Sequence, residues 1–63
     1  MEIKEGEVLL EFLFLGNSVK VTAIDGATGQ EASIVGPASA ARKNLEAAAV
    51  RKLRYVLNRR KPG

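Results

Sequence analysis

The sequence predicts an α+β domain, a three-stranded antiparallel β-meander with one long C-terminal helix packed on one face (β-β-β-α). Three observations predict it. Residues 7–15, EVLLEFLFL, alternate at period two; Gly16-Asn17 then separates them from a second alternating stretch, SVKVTAI; and beyond Gly36-Pro37 apolar residues recur at helical spacing. The 63 residues form a single domain, residues 1–63.

Segment 7–15 is the first strand. Val8, Leu10, Phe12 and Phe14 fall on one face, and Glu7, Leu9, Glu11, Leu13 and Leu15 on the other. Aromatic and β-branched side chains without Gly or Pro favour a strand over a short buried helix. Gly16-Asn17 suits a two-residue type II′ turn, because Gly accepts a positive φ without penalty. That turn places Leu15 opposite Ser18, Phe14 opposite Val19, Phe12 opposite Val21 and Leu10 opposite Ala23, so every partner of the Phe-bearing face is apolar. A slip of one residue would oppose that face to Ser18, Lys20 and Thr22 instead.

The second strand spans residues 18–24. Asp25 then bonds the backbone two residues on, and Gly29 supplies a left-handed residue at the end of a four-residue loop, Gly26 to Gly29. This loop length puts Ala32 opposite Ala23 and Ile34 opposite Val21, giving a third strand over 30–35. Gly36-Pro37 ends the sheet, since Pro cannot donate to a ladder.

The helix is expected over residues 39–60, with Ser39 as its N-cap. Ala38, Ala41, Leu45, Ala48, Ala49, Leu53 and Val56 form its apolar stripe, bordered by Leu57. The alanines allow close approach to the sheet, and Phe12, Phe14 and the valines are expected to supply the bulk of the core.

Composition narrows the function. The chain has no Cys and no His, which removes disulfides, thiolate sites, the commonest metal ligand and the commonest general base. A Ser nucleophile would have no such partner. No enzyme, no metal and no cofactor are expected. Lys52 near the apolar stripe reads as a snorkelling stem with its ammonium in water. Glu7 and Glu11 share a sheet face with Lys20, which predicts a cross-strand ion pair rather than an acid/base pair. Gly26-Ala27-Thr28-Gly29 lacks the Gly-Lys-Ser/Thr of a phosphate loop and reads as a turn. The free N–H groups of the helix start, with Ser39, Arg42 and Lys43, form a generic weak anion site.

The acidic, polar N-terminus does not resemble a secretory signal, and the apolar run Val8 to Leu15 is too short to cross a bilayer. A cytoplasmic protein with no membrane association is expected. Residues 1–31 carry a net charge of −4 and residues 32–63 a net charge of +7. The cations Arg42, Lys43, Arg51, Arg54, Arg59, Arg60 and Lys61 are the candidate polyanion-binding set, against the plainer alternative of a solvated helix whose C-terminal cations complement its dipole.

A chain of this size buries only about 60% of the surface its unfolded form exposes, so a small domain usually needs a further staple. Leu9, Leu13, Leu15 and Ile24 crowd the sheet face away from the helix, and both edge strands offer free backbone groups. These features predict a homodimer, formed by apposed leucine faces or by pairing of first strands. The leading expectation is a non-enzymatic module that binds another protein. The alternative is a small nucleic-acid-binding protein that uses the basic helix.

Residues 11–37, EFLFLGNSVKVTAIDGATGQEASIVGP, with Lys52-Leu53-Arg54-Tyr55, resemble a small bacterial, mainly alphaproteobacterial, domain of unknown function. The resemblance rests on Gly16-Asn17, Val19 to Ala23, Asp25, Thr28-Gly29, Glu31, Ser33-Ile34 and Gly36-Pro37. It covers most of the chain and implies no activity, substrate, cofactor or functional residue.

Overall fold

The computed structural model describes residues 6–59. Three strands, β1 (Val8–Leu15), β2 (Ser18–Asp25) and β3 (Glu31–Pro37), precede one helix, α1 (Arg42–Arg59). The strands form an open antiparallel sheet in the order β1-β2-β3. Gly16 takes φ 60° while Asn17 keeps a negative φ, as a type II′ turn requires. The register is the one the turn dictates: Phe14 pairs with Val19, Phe12 with Val21 and Leu10 with Ala23. On the other side of β2, Ala23 pairs with Ala32 and Val21 with Ile34. Gly29 closes the second loop at φ 77°. Asp25 reaches three residues on rather than two, its Oδ2 accepting hydrogen bonds from Thr28 N (2.9 Å) and Thr28 Oγ1 (2.8 Å).

The core is small. Val19, Val21 and Ala23 of β2, Ala32 of β3, and Leu45, Ala49 and Leu53 of α1 are buried. Leu10, Phe12, Ile34, Ala40, Val56 and Leu57 pack around them. Leu45, Ala49 and Leu53 lie four residues apart, so they project from one face of the helix. That face lies across β2 and β3. Gly36 permits the close approach: a Cβ there would lie 2.7 Å from Leu45 Cδ2.

Four expectations need correction. First, β3 runs through Gly36 and Pro37, which pair with Val19 and Ser18. In this register the backbone groups of Pro37 face away from β2, so its missing N–H removes no bond of the sheet. Second, the helix begins at Arg42. Ala38 to Ala40 form a turn closed by Ala40 N donating to Pro37 O (3.0 Å). Asn44 N and Leu45 N both donate to Ala41 O, which makes Ala41, not Ser39, the N-cap. Arg60, the expected last helical residue, lies outside the described residues. Third, Ala38 and Ala41 are exposed and do not extend the buried stripe. Fourth, Phe14 is 63% exposed. It points to the helix side of the sheet, but from an edge strand that the helix leaves largely uncovered.

Two stability outcomes follow. Ala41 offers no side-chain oxygen to the orphan N–H groups of the first turn, so Ala41→Asp should raise stability by about 1 kcal/mol in urea unfolding. Gly36→Ala should cost about 1–3 kcal/mol by displacing Leu45. The double variant Gly36→Ala/Leu45→Ala should lose less than the two single losses combined, because removing the Leu45 methyls relieves the clash.

Candidate interaction surface

The two edges of the sheet differ in what they offer another chain. A two-residue hairpin makes Leu15 and Ser18 a hydrogen-bonded pair, so the odd residues of β1 direct their backbone groups toward β2. Gly26 N donating to Glu7 O at 2.8 Å fits this parity. The even residues Val8, Leu10, Phe12 and Phe14 therefore present N–H and C=O to the open edge. By the same alternation, and with Asp25 N bonded to Gln30 O at 2.8 Å, the odd residues of β3 face outward at the opposite edge.

The β3 edge is blocked. Lys52 extends from the helix and its Nζ donates to the outward carbonyl of Ser33 at 2.7 Å. Pro37 at the end of the same edge has no N–H to offer. A lysine and a proline are standard devices against edge-to-edge pairing. β1 carries neither along its eight residues, VLLEFLFL. The sequence alone leaves the Lys52 ammonium in water and does not reveal this contact. Its signal was the position of Lys52 beside the apolar stripe, within reach of the sheet edge that the helix covers.

Because α1 lies over β2 and β3, a shallow groove of about 480 Å³ opens between the helix and β1. Leu10 forms its floor, Ala47 and Val50 its helical wall, and Lys43, Glu46, Arg51 and Arg54 its rim. Lys43, Arg51 and Arg54 lie eight and three residues apart, which keeps them on one side of the helix. The structure thus brings three of the seven candidate polyanion-binding residues together. Arg42 is engaged elsewhere, with its guanidinium 4.3 Å from the centroid of the Phe12 ring and Nε 3.4 Å from Glu46 Oε2. Arg59 leans over Tyr55 at 5.6 Å. Arg60 and Lys61 lie outside the described residues. The Ser39 hydroxyl, placed in the preceding turn, is not the cap of the helix start.

On the open face, the candidate dimer residues divide into two groups. Leu9 and Ile24 are half-buried and pair with each other. Leu13 and Leu15 are 55% and 59% exposed, and Val35, across Lys20 from Leu13, is 70% exposed. A polar row separates the groups: Glu11, Thr22 and Ser33, with Thr22 Oγ1 and Ser33 Oγ sharing a hydrogen bond at 2.8 Å. The expected ion pair between Glu11 and Lys20 is not formed, since register sets Glu11 opposite Thr22 and Lys20 opposite Leu13.

Among the described residues no three of His, Cys, Asp and Glu gather as a metal site would require, and no helix is long and apolar enough to cross a membrane. The fold and surface define a small β-β-β-α domain with one protected and one open sheet edge. A family model described as a domain of unknown function, DUF6898, matches residues 5–60, and the chain belongs to that family. No curated protein and no solved structure matches it.

If Lys52 guards the β3 edge, Lys52→Met should leave the far-UV circular dichroism unchanged and lower stability by less than about 1 kcal/mol, since the contact is exposed. The same variant should gain concentration-dependent association in sedimentation velocity beyond any that the parent chain shows, as larger species built through the unguarded β3 edge.

Proposed function

We propose that this protein is a non-enzymatic interaction module of the cytoplasm that works by strand addition at the edge of β1, with a second copy of itself as the first partner. The observation that carries this reading is the opposite treatment of the two edges. β3 is guarded by Lys52 and Pro37, whereas β1 offers the outward backbone groups of four apolar residues beside an unfilled groove. Main-chain bonds supply affinity in strand addition, and pockets for alternate side chains supply specificity. Here Leu10 and the wall of Ala47 and Val50 are the pocket. A second strand would also cover Phe14, whose exposure is costly for a chain with so small a core. The chain's lack of Cys suits a reducing compartment, and its lack of both His and Cys leaves few means for catalysis.

Phe14→Pro tests the reading directly. Its N–H points to the free edge, so proline there spares the β1–β2 ladder while removing a donor from any added strand. In analytical ultracentrifugation the parent chain should be a dimer at micromolar concentration. Phe14→Pro should be a folded monomer, and Phe14→Lys, which keeps the N–H, should weaken the dimer at least tenfold. A monomeric parent chain, or a Phe14→Pro variant that dimerises as tightly as the parent, would count against strand addition at β1.

The convergence of Lys43, Arg51 and Arg54 on one groove favours a second reading, polyanion binding. Three phosphate contacts would make affinity for duplex DNA fall about 40-fold between 50 and 200 mM salt. Fluorescence anisotropy should then show that slope flattening in Arg51→Glu/Arg54→Glu. Equal binding by parent and variant would leave these cations as a solvated rim.

A further inference from the structure

We infer that the second copy docks in one register, with Phe12 of each β1 facing its twin across a two-fold axis; this rests on the strand-addition reading above. A two-fold axis between antiparallel β1 strands makes the interface isologous, so residue i opposes residue j and j opposes i. Opposed residues share a face, and the outward backbone groups belong to even residues. The candidate registers are therefore centred on Leu10, Glu11, Phe12 or Leu13.

Charge and apolar fit choose among them. Centring on Glu11 engages all four outward residues of each copy but opposes Glu11 to its own copy, and like charges directly opposite are destabilising. Among the described residues Glu11 has no ion pair to offset this. Centring on Leu10 carries Phe14 past the end of the partner's β1, to the level of Gly6, and leaves it uncovered. Centring on Leu13 sets Leu10 against the partner's Gly16 and shortens the ladder. Centring on Phe12 avoids all three faults. It pairs Leu10 with the partner's Phe14 on the helix side, so each exposed phenyl ring meets the floor of the other copy's groove. About six main-chain hydrogen bonds form, from Leu10, Phe12 and Phe14 of each copy.

The open face supports the same choice. Leu13 lies opposite Lys20 within one chain, and Lys20 opposite Val35. In the Phe12-centred register the partner's Glu11 lies opposite Leu13 on its other side. One row across the joined sheets then reads Val35, Lys20, Leu13, partner Glu11, with the two charges about 10 Å apart at their Cα atoms and side chains long enough to close across Leu13. The cation and carboxylate that form no pair within one chain become complementary between two.

The result is a continuous six-stranded sheet with both helices on one side. Each helix lies over β2 and β3 of its own copy, so the helix axes stand about 20 Å apart, well beyond direct helix packing. The space between them is floored by Leu10, Phe12 and Phe14 of both copies.

Cysteine trapping reads the register, because the chain has no cysteine of its own. Leu9 and the partner's Leu15 would be opposed as a non-hydrogen-bonded pair, with Cα atoms about 4.5 Å apart, within disulfide reach. Both side chains point away from the groove, and Glu11 is left intact. Leu9→Cys mixed with a mass-tagged Leu15→Cys should give a heterodimeric disulfide under mild oxidation, at least tenfold above either variant alone. Efficient linkage of Leu9→Cys with Leu13→Cys would overturn the inference in favour of the Glu11-centred register, and linkage of Leu13→Cys with itself would do so in favour of the Leu13-centred one. A dimer that none of these pairs traps would overturn the inference, leaving the Leu10-centred register or an interface away from β1. A parent chain that sediments as a monomer at every concentration would refute the strand-addition reading itself.

Discussion

Leu45, Ala49 and Leu53 seat the helix on Val19, Val21 and Ala23 of the central strand, and the remaining features of the surface depend on that contact. The small side chains of Ala23, Ala32 and Ala49, together with Gly36, bring the helix close to the sheet. A close helix on a three-stranded sheet cannot cover all three strands. Strands are spaced at about 4.8 Å, and a helix with its side chains is about 10 Å wide, so it covers about two of them. Here those two are β2 and β3. Lys52 comes within reach of the β3 edge because the helix lies on that side, and the groove over β1 opens for the same reason.

A core whose buried members are three valine or leucine side chains from the helix-facing centre, one further leucine and three alanines supplies little apolar burial for a chain of this length. Phe14, the side chain that would add most, stands outside it. An edge strand with its apolar face half covered is a liability in a monomer and a resource in an assembly. Burying Phe14 and the groove against a second β1 would add apolar contact without any change in the fold. The basic rim of Lys43, Arg51 and Arg54 would then flank the joined strands and keep the helical surface soluble.

The strands and their pairing were legible because two short-range signals agreed. Gly16-Asn17 prescribes a two-residue turn, and the alternation of VLLEFLFL and SVKVTAI accepts only the register that turn imposes. The second loop was legible for a similar reason, since four residues ending in Gly29 align Ala32 with Ala23 and Ile34 with Val21. The helix start was less so. Ser39 is a good capping residue by type, yet the chain leaves β3 in a turn over residues 37–40, which moves the first helical residue to Arg42. The alternation of β1 puts Phe14 on the core-facing side of the sheet. The face was right, but periodicity says which side of a sheet a residue occupies and not whether anything covers that side.

The sequence by itself determined the order of elements, both turns, the register of the sheet and the absence of cysteine and histidine chemistry, because these depend on neighbours in the chain or on composition. It also determined that eight cations follow residue 41. Only the tertiary structure decided which strands the helix covers, that Lys52 caps the Ser33 carbonyl, and that Lys43, Arg51 and Arg54 share a groove with Leu10. Those outcomes turn on where the axis of one helix falls across a sheet. That position is set by the summed fit of many small side chains, which no single residue or local pattern in the sequence records.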